Sequence, residues 1–383
     1  MRRPTRLGHV EVLSTFPEKP VERAPVTETT PVIIRGSGTL GKVAGWTPEH
    51  LSGKLAGRDL AISVADADGG FRYDPDTPSG LRYTDIPGAD LAREFRADTR
   101  KLCLQQAPIE SDLPELLDEL TVPPYVPADK INDINLWMAS SASRTPLHFD
   151  DMHNVFAQVE GRKRFLLFNP AQFDVLYPGP INTRTESFSR VDLSRPDFRR
   201  FPRLAGVEYW EAVVWPGDML FMPAYWWHQV SSQDLSVSVN YWWRPDVRDV
   251  LCPAFHRQLH MNINLEDVHS LFEGFDLDGL GAGGGTPALL ALADLVLADG
   301  EPGAALRVCG GVAVAALRDR CRALGLPSDG PAAGLLDVLA EKEDVAGEDA
   351  LRVCLTRALA VRPGQSVPAA EAAGLIERLR AAL

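Results

Sequence analysis

Between residues 133 and 244 the chain alternates short apolar runs with turn signals. INLWM, NVFAQV, KRFLLF, DMLFM and LSVSVNYWW are apolar or alternating stretches with aromatic and β-branched content, and EGRK, NPAQ, WPGD and SSQD separate them. Runs of this kind fit a pleated, half-buried surface. Several short strands at such spacing predict a sandwich or barrel. Upstream, PVIIRG at 31–36 reads as a strand ending in a turn, and LAISV at 60–64 as another strand, followed by the turn ADADGG. Thr47 before Pro48 and Glu49 predicts a helix start, with a Thr N-cap, proline at the first helical position and an acid in the first turn. A second helical stretch, SDLPELLDEL, is expected from Ser111. Residues 1–30, rich in Pro, Thr and Glu, read as a loose arm. The long polar stretch from Pro178 to Gly206 has few strand signals and reads as an insertion over a site mouth.

The pattern changes after Pro253. GAGGG at 281–285 reads as a flexible break, and beyond it Ala, Leu and Arg dominate. Leu289, Leu290, Leu292, Leu295 and Val296 form one apolar stripe at helical spacing; Leu375, Ile376, Leu379 and Leu383 belong to another. The stretch 286–383 is expected to be a small helical domain without a clean repeat.

Composition narrows the class. The 383 residues are 45% hydrophobic, enough for one large domain or two domains with their own cores. A net charge of −13 argues against a nucleic-acid partner, which needs a basic footprint. The five cysteines are scattered without a CxxC pair, which points to a reducing compartment. The N-terminus lacks the apolar core of a secretory signal, and no apolar run is long enough to span a membrane. A cytoplasmic protein without a membrane partner is the expectation.

The segment TPLHFDDMHN at 145–154 raises a metal question. If 147–150 is extended, His148 and Asp150 share one face while Phe149 and Asp151 face away. His228, in MPAYWWHQVSS, could complete the set, because a buried imidazole must be hydrogen-bonded or ligated. Two histidines and one carboxylate leave three metal positions open, the facial triad of non-heme Fe(II) oxygenases. Taken singly these residues carry other readings: a polar strand end for HxD, and a satisfied core or turn histidine for His228. His153 falls on the opposite face of a regular strand. His256 and His260 lie four apart on an expected helix, and a solvated helix face accounts for them.

The joint pattern TPLHFDDMHNVFAQVEGRKRFLLFNP and WPGDMLFMPAYWWHQV, followed by SVSVNYWW, resembles the JmjC/cupin-like 2-oxoglutarate oxygenases. It is most similar to the subgroup of the asparaginyl hydroxylase that inhibits hypoxia-inducible factor. The resemblance runs from Pro31 to Trp243. It implies a mainly β fold with α, a double-stranded β-helix (jelly-roll) core over 31–250, followed by a helical C-terminal region over 251–383. It implies Fe(II) held by His148, Asp150 and His228, with 2-oxoglutarate and O2 as co-substrates. Lys163 matches the lysine that pairs with the distal carboxylate of 2-oxoglutarate, and Thr145 the hydroxyl beside it. Asn154 and Asn240 match asparagines near the chelating end, and Gln105 a glutamine that touches the peptide substrate. The expected reaction is hydroxylation of an amino-acid side chain in a peptide, protein or small metabolite, giving succinate and CO2. The C-terminal helices imply a homodimer.

Two departures stand out. Cys103 occupies the place of a tyrosine, and Phe188 the place of the group that grips the substrate asparagine amide. The residues also leave open a metal-dependent isomerase or binding protein on the same fold, and an interaction protein with an inert barrel. Lys163 speaks against the first and the intact ligand set against the second.

Overall fold

The computed structural model describes residues 5–9, 11–13, 30–36, 38–71, 81–180, 183, 185–246, 251–261, 286–328, 331, 334–335, 348–362 and 365–383. Most of the expected 1–30 arm lies outside the described residues, as do the GAGGG break and Arg184 of the insertion. The described part of the arm contains β1 (Thr5–His9) and β2 (Glu11–Leu13), which pair with later strands. The polar composition there hides strands whose hydrogen bonds come from distant partners.

The chain divides into two compact units, Met1–Arg244 and Pro245–Leu383. The first unit continues with β3 (Val32–Ile34), helix α1 (Pro48–Lys54), β4 (Asp59–Val64), β5 (Tyr83–Pro87), α2 (Leu91–Ala97) and β6 (Leu102–Pro108). There follow α3 (Ile109–Asp112), β7 (Ile131–Ala139), β8 (His153–Glu160), β9 (Lys163–Phe168), β10 (Glu208–Val214), β11 (Met219–Met222), β12 (Trp227–Ser232) and β13 (Ser236–Trp243). Thr47 caps α1 as expected, its side chain accepting from the His50 N–H. The helix expected from Ser111 is interrupted: α3 stops at Asp112 and a 3₁₀ turn runs from Pro114 to Glu119. Pro114 has no N–H to continue the ladder and restricts the residue before it.

The strands form a nine-stranded sheet in the order β2-β3-β11-β8-β13-β7-β6-β4-β5 and a four-stranded sheet in the order β1-β10-β9-β12. The segment before β8 extends the smaller sheet irregularly, with bridges from Arg144 to Ser231 and from His148 to His228. Two sheets with this antiparallel core make the jelly roll.

Period-two alternation then sorts the side chains. On β8 and β13, Val155, Ala157, Val159, Val237, Val239, Tyr241 and Trp243 belong to the core cluster that also takes in Leu51, Leu91 and Phe95 of the flanking helices. Phe156 of β8, Phe165 and Leu167 of β9 and Met222 of β11 belong to a second cluster. Asn154, Ser238 and Asn240 alternate with the first set, Lys163 shares the face of Phe165 and Leu167, and all four are buried too. Gly161 makes the β8–β9 turn possible: its φ is +70°, and a Cβ there would meet the Leu235 carbonyl oxygen at 2.2 Å. That turn delivers Lys163 at the start of β9.

The second unit contains α4 (Pro253–Met261), α5 (Thr286–Ala298), α6 (Pro302–Ala323), α7 (Glu348–Ala360) and α8 (Ala369–Ala382). Helix α6 is the centre, packing on the other four. Small residues, among them Gly303, Ala304, Ala305, Gly310, Gly311 and Ala313, are buried along it and let its neighbours approach. The two expected stripes meet in this bundle, with Leu289, Leu292, Val296, Leu375, Ile376 and Leu379 buried and Leu383 exposed. His256, expected on a solvated face, is buried; its Nε2 lies 3.1 Å from Asp299, and burial lowers its pKa. The side chain of His260 lies outside the described residues. Among the described residues no helix is long and apolar enough to cross a membrane.

Candidate metal centre

His148, Asp150 and His228 are brought together, and one ligand atom from each lies within 4.8 Å of the others. The backbone arranges this without a regular strand under the HxD pair. His148 and His228 exchange both backbone hydrogen bonds, at 3.0 and 2.7 Å, so their side chains face each other with ring centroids 4.2 Å apart. The Asp150 carbonyl oxygen accepts from the Tyr225 N–H at 2.7 Å, and the His228 Nε2 lies 3.6 Å from the Asp150 carboxylate.

The tautomers follow from their partners. His148 Nδ1 lies 2.8 Å from the Pro146 carbonyl oxygen, and His228 Nδ1 2.9 Å from that of Trp226. A carbonyl can only accept, so each Nδ1 carries the proton and each Nε2 keeps its lone pair. Burial, reinforced by His148, lowers the His228 pKa to about 4 against the pull of Asp150. The imidazole is therefore neutral at neutral pH, the form that ligates metal. Among the described residues this is the one group of three or more such side chains gathered closely enough to hold an ion.

His153 is placed elsewhere. Its Nδ1 accepts from the Ala224 N–H at 3.1 Å, and its ring packs against Phe221 and Trp243. Burial pushes its pKa down to about 4, so it serves as a neutral core residue.

The triad opens into a cavity of about 340 Å³ that Lys163, Thr145, Asn154, Asn240, Gln105 and Phe188 also line. Lys163 is 4% exposed, donates to Ser238 Oγ at 2.9 Å and lies 4.9 Å from the Phe156 ring centroid. Burial pulls its pKa down to about 8. No carboxylate pairs with it among the described residues. A buried ammonium in this state fits an anion supplied from outside. Thr145 Oγ1 accepts from the Val230 N–H at 3.0 Å, which leaves its own proton to donate. Asn240 Oδ1 accepts from the Trp137 indole at 2.8 Å, which leaves its amide NH2. Asn154 Oδ1 is buried without a partner.

Gln105 and Gln106 both face the cavity because β6 carries a bulge. The register with β7 slips between Leu104 and Ala107, and Gln106 takes a φ of +47°. Gln105 Oε1 accepts from Ser63 Oγ at 3.3 Å. Cys103 is buried in the same wall, and burial raises its thiol to about 11, so it stays protonated. The insertion does reach the triad: Ser187 to Ser189 run antiparallel to Leu147 to Phe149, and the Phe188 ring stacks on His148 at 5.5 Å.

Sequence reasoning missed Trp242, Arg144 and Tyr83, which line the same cavity. Trp242 could have been found, since it continues the alternation of Ser238 and Asn240. Arg144 and Tyr83 carry no local signal.

Comparison with known proteins agrees with this architecture. The chain is 34% identical over 177 residues, 43% of its length, to lysine-specific demethylase 8 of Xenopus tropicalis, covering 40% of that protein. It is 32% identical over 163 residues, 40% of its length, to Jumonji C domain-containing protein 5 of Drosophila melanogaster, again covering 40% of that protein. It is 40% identical over 110 residues, 28% of its length, to human HSPB1-associated protein 1, covering 22% of that protein. Each match spans less than half of the relative's length. A family model described as a cupin-like domain matches residues 18–249, and the chain belongs to that cupin-like domain family.

Proposed function

We propose that the protein is an Fe(II)- and 2-oxoglutarate-dependent oxygenase that hydroxylates an amino-acid side chain in a peptide, protein or small metabolite. The observation that carries the reading is the pairing, in one cavity, of an open His-Asp-His set with a buried lysine lacking a carboxylate partner. Placement beside the asparaginyl hydroxylase rests on the motifs around these residues.

The residues divide the work. His148, Asp150 and His228 would hold the metal on one side, through two imidazole lone pairs and one carboxylate. Bound iron with 2-oxoglutarate and O2 supplies the oxidation of an unactivated C–H bond, coupled to loss of CO2 and formation of succinate. Lys163 and the Thr145 hydroxyl would hold the far carboxylate of the 2-oxo acid by charge-assisted hydrogen bonds. The amide NH2 of Asn240, left free by the Trp137 indole on its oxygen, would donate to its near end, with Asn154 beside it in the cavity. Phe156, Phe165 and Met222 form an apolar wall that keeps bulk water from the reacting carbon. Gln105 and Phe188 face the substrate.

The names of the relatives favour a second outcome of the same chemistry, oxidation of an N-methyl group with loss of the methyl. Mass spectrometry of products separates them: hydroxylation adds one oxygen, whereas demethylation removes a methyl group. Metal analysis and 2-oxoglutarate turnover test the core reading. Protein that binds no Fe(II) and forms no succinate would leave the isomerase or binding-protein alternative. We further propose a homodimer that depends on residues beyond Leu251, where Leu324, Val353, Leu359 and Leu383 are exposed. Light scattering that shows a monomer at micromolar concentration would remove it.

A further inference from the structure

The cavity at the triad has a neighbour with which it shares part of its wall. A groove of about 310 Å³ adjoins it and shares Phe71, Arg144, Thr145, Pro146 and Phe188 with it. Arg144 therefore stands at the junction of the two. Its side chain is 27% exposed, and its nearest anionic neighbour is Asp68 at 3.7 Å, beyond hydrogen-bond distance. Among the described residues its guanidinium makes no hydrogen bond. Asp68 is itself shared, lying 3.9 Å from Arg195, and its Oδ1 accepts from the Gly70 N–H at 3.1 Å. A part-buried guanidinium whose five donors form a planar fork, with a 3.7 Å ion pair to Asp68 but no hydrogen bond among the described residues, is fitted for a carboxylate.

The rest of the groove carries matching chemistry. Arg190, Asp192 and Gln229 line it. Asp192 Oδ1 is occupied by the N–H and Oγ of Ser194 at 2.9 and 2.5 Å. Arg190 is exposed, and neither its guanidinium nor the Gln229 amide has a partner among the described residues. A side-chain amide offers one donor and one acceptor face, the complement of a peptide group. The groove carries Arg144 and Arg190 against Asp192, a local cationic excess on a chain of net charge −13, and it adds about 310 Å³ outside the cavity at the triad.

Resting on the oxygenase reading, we propose that the substrate is an extended polypeptide with an acidic side chain close to the target residue, and that Arg144 grips that carboxylate at the junction. Gln229 reads the adjacent backbone, and Arg190 favours further acidic residues along the groove.

The test uses the full chain loaded with Mn(II) and 2-oxoglutarate and three random peptide libraries, differing only in a fixed central Glu, Gln or Lys. The Glu library should be retained on the order of tenfold better than the Gln library, as expected for one charge-assisted pair. Arg144→Met, which keeps the side chain's bulk, should erase that preference, and Arg144→Glu should turn it toward the Lys library. Arg144→Met should melt at the wild-type temperature and give the wild-type far-ultraviolet circular dichroism, which shows that the variant is folded. Equal retention of the Glu and Gln libraries, or a preference that survives Arg144→Met, would overturn the proposal. Free glutamate competing as well as the Glu peptides would overturn the polypeptide source. Failure of the oxygenase reading is a separate result, since it would appear as absence of succinate in the wild type whatever the peptide preference.

Discussion

Two buried cations, one in each unit, are handled in opposite ways. Lys163 in the barrel is 4% exposed and Arg307 in the helical bundle 3%. Arg307 is tied down, its Nη1 donating to the Ala358 carbonyl at 3.1 Å and its Nε to that of Leu259 at 3.4 Å. It joins α4, α6 and α7 across the bundle. Lys163 has one hydroxyl and two aromatic rings for company and faces a cavity. Burial lowers the pKa of both, to about 8 for Lys163, while the guanidinium of Arg307 stays charged. A charge that leaves water must be compensated, or it costs several kcal/mol. Arg307 is compensated by the fold and is structural. Lys163 has no such backbone anchors among the described residues and lines the cavity beside the triad, and the predictions below turn on that difference.

The largest expected effect is on metal. His148→Ala or His228→Ala should abolish Fe(II) binding in anaerobically purified protein, because two ligands rarely hold a labile divalent ion. Thermal unfolding of the metal-free forms should change little, since the triad serves a ligand and not the fold. Unchanged iron content in both variants would sink the assignment. Next is Lys163→Met. Truncating one member of a desolvated charge pair costs about 2–5 kcal/mol, so the 2-oxoglutarate requirement should rise on the order of a hundredfold while metal stays in place. The variant should unfold no earlier than the wild type, because it removes a buried charge. The wild type also has a pH signature. The Lys163 ammonium is lost as pH rises through about 8, so 2-oxoglutarate affinity should weaken above that pH and become flat in Lys163→Met. Wild-type affinity in the variant would show that the anion site lies elsewhere.

Arg307→Met sharpens the other side. It strands carbonyls in the bundle, at about 1–3 kcal/mol for each group left unpaired. The melting temperature should fall, while 2-oxoglutarate affinity of the folded fraction stays at the wild-type value. A variant that melts normally would remove the contrast between the two cations.

The barrel was legible where one face of a strand is strongly apolar. INLWM, NVFAQV, KRFLLF, DMLFM and LSVSVNYWW fall in strands, apart from Asp218 and Leu235 at the start of the last two. Strand β12, WHQVSS, was not read as one, because polar Gln229 and Ser231 break its apolar run and its hydrogen bonds go to β9. Strand β10 was missed as well, although its YWEAVV run carries β-forming residues. The polar alternation of SVSVNYWW was visible, but whether it faced water or a cavity was not; all eight residues are buried. His148 and Asp150 were expected to converge through a regular strand. They converge instead on irregular backbone pinned by the His148–His228 bridge, a long-range contact with no local signature. The same holds for Arg144, whose meaning comes from the groove it borders.

Phe188 gives the finest test, because it sets an apolar side chain against the triad where the proposed likeness to the asparaginyl hydroxylase calls for one that grips an amide. Its ring stacks on His148 with an interplanar angle of 19°, and its segment is pinned by the Ser189 N–H to the Leu147 carbonyl at 2.8 Å. It is therefore held over the triad by both backbone and ring. An apolar face there offers no partner to a side-chain amide, and a buried amide left unpaired costs about 1–3 kcal/mol. Peptides presenting asparagine should be poor substrates, and the target carbon should lie on a less polar or differently charged side chain. Phe188→Gln should lower turnover of the native substrate by a few fold while leaving Fe(II) binding intact, because the residue supplies none of the three ligand atoms. If Phe188 only packs the insertion, turnover will not change. Efficient hydroxylation of asparagine peptides by the wild type would break the argument, and with it the idea that an unmatched group in this barrel is the mark of its ligand.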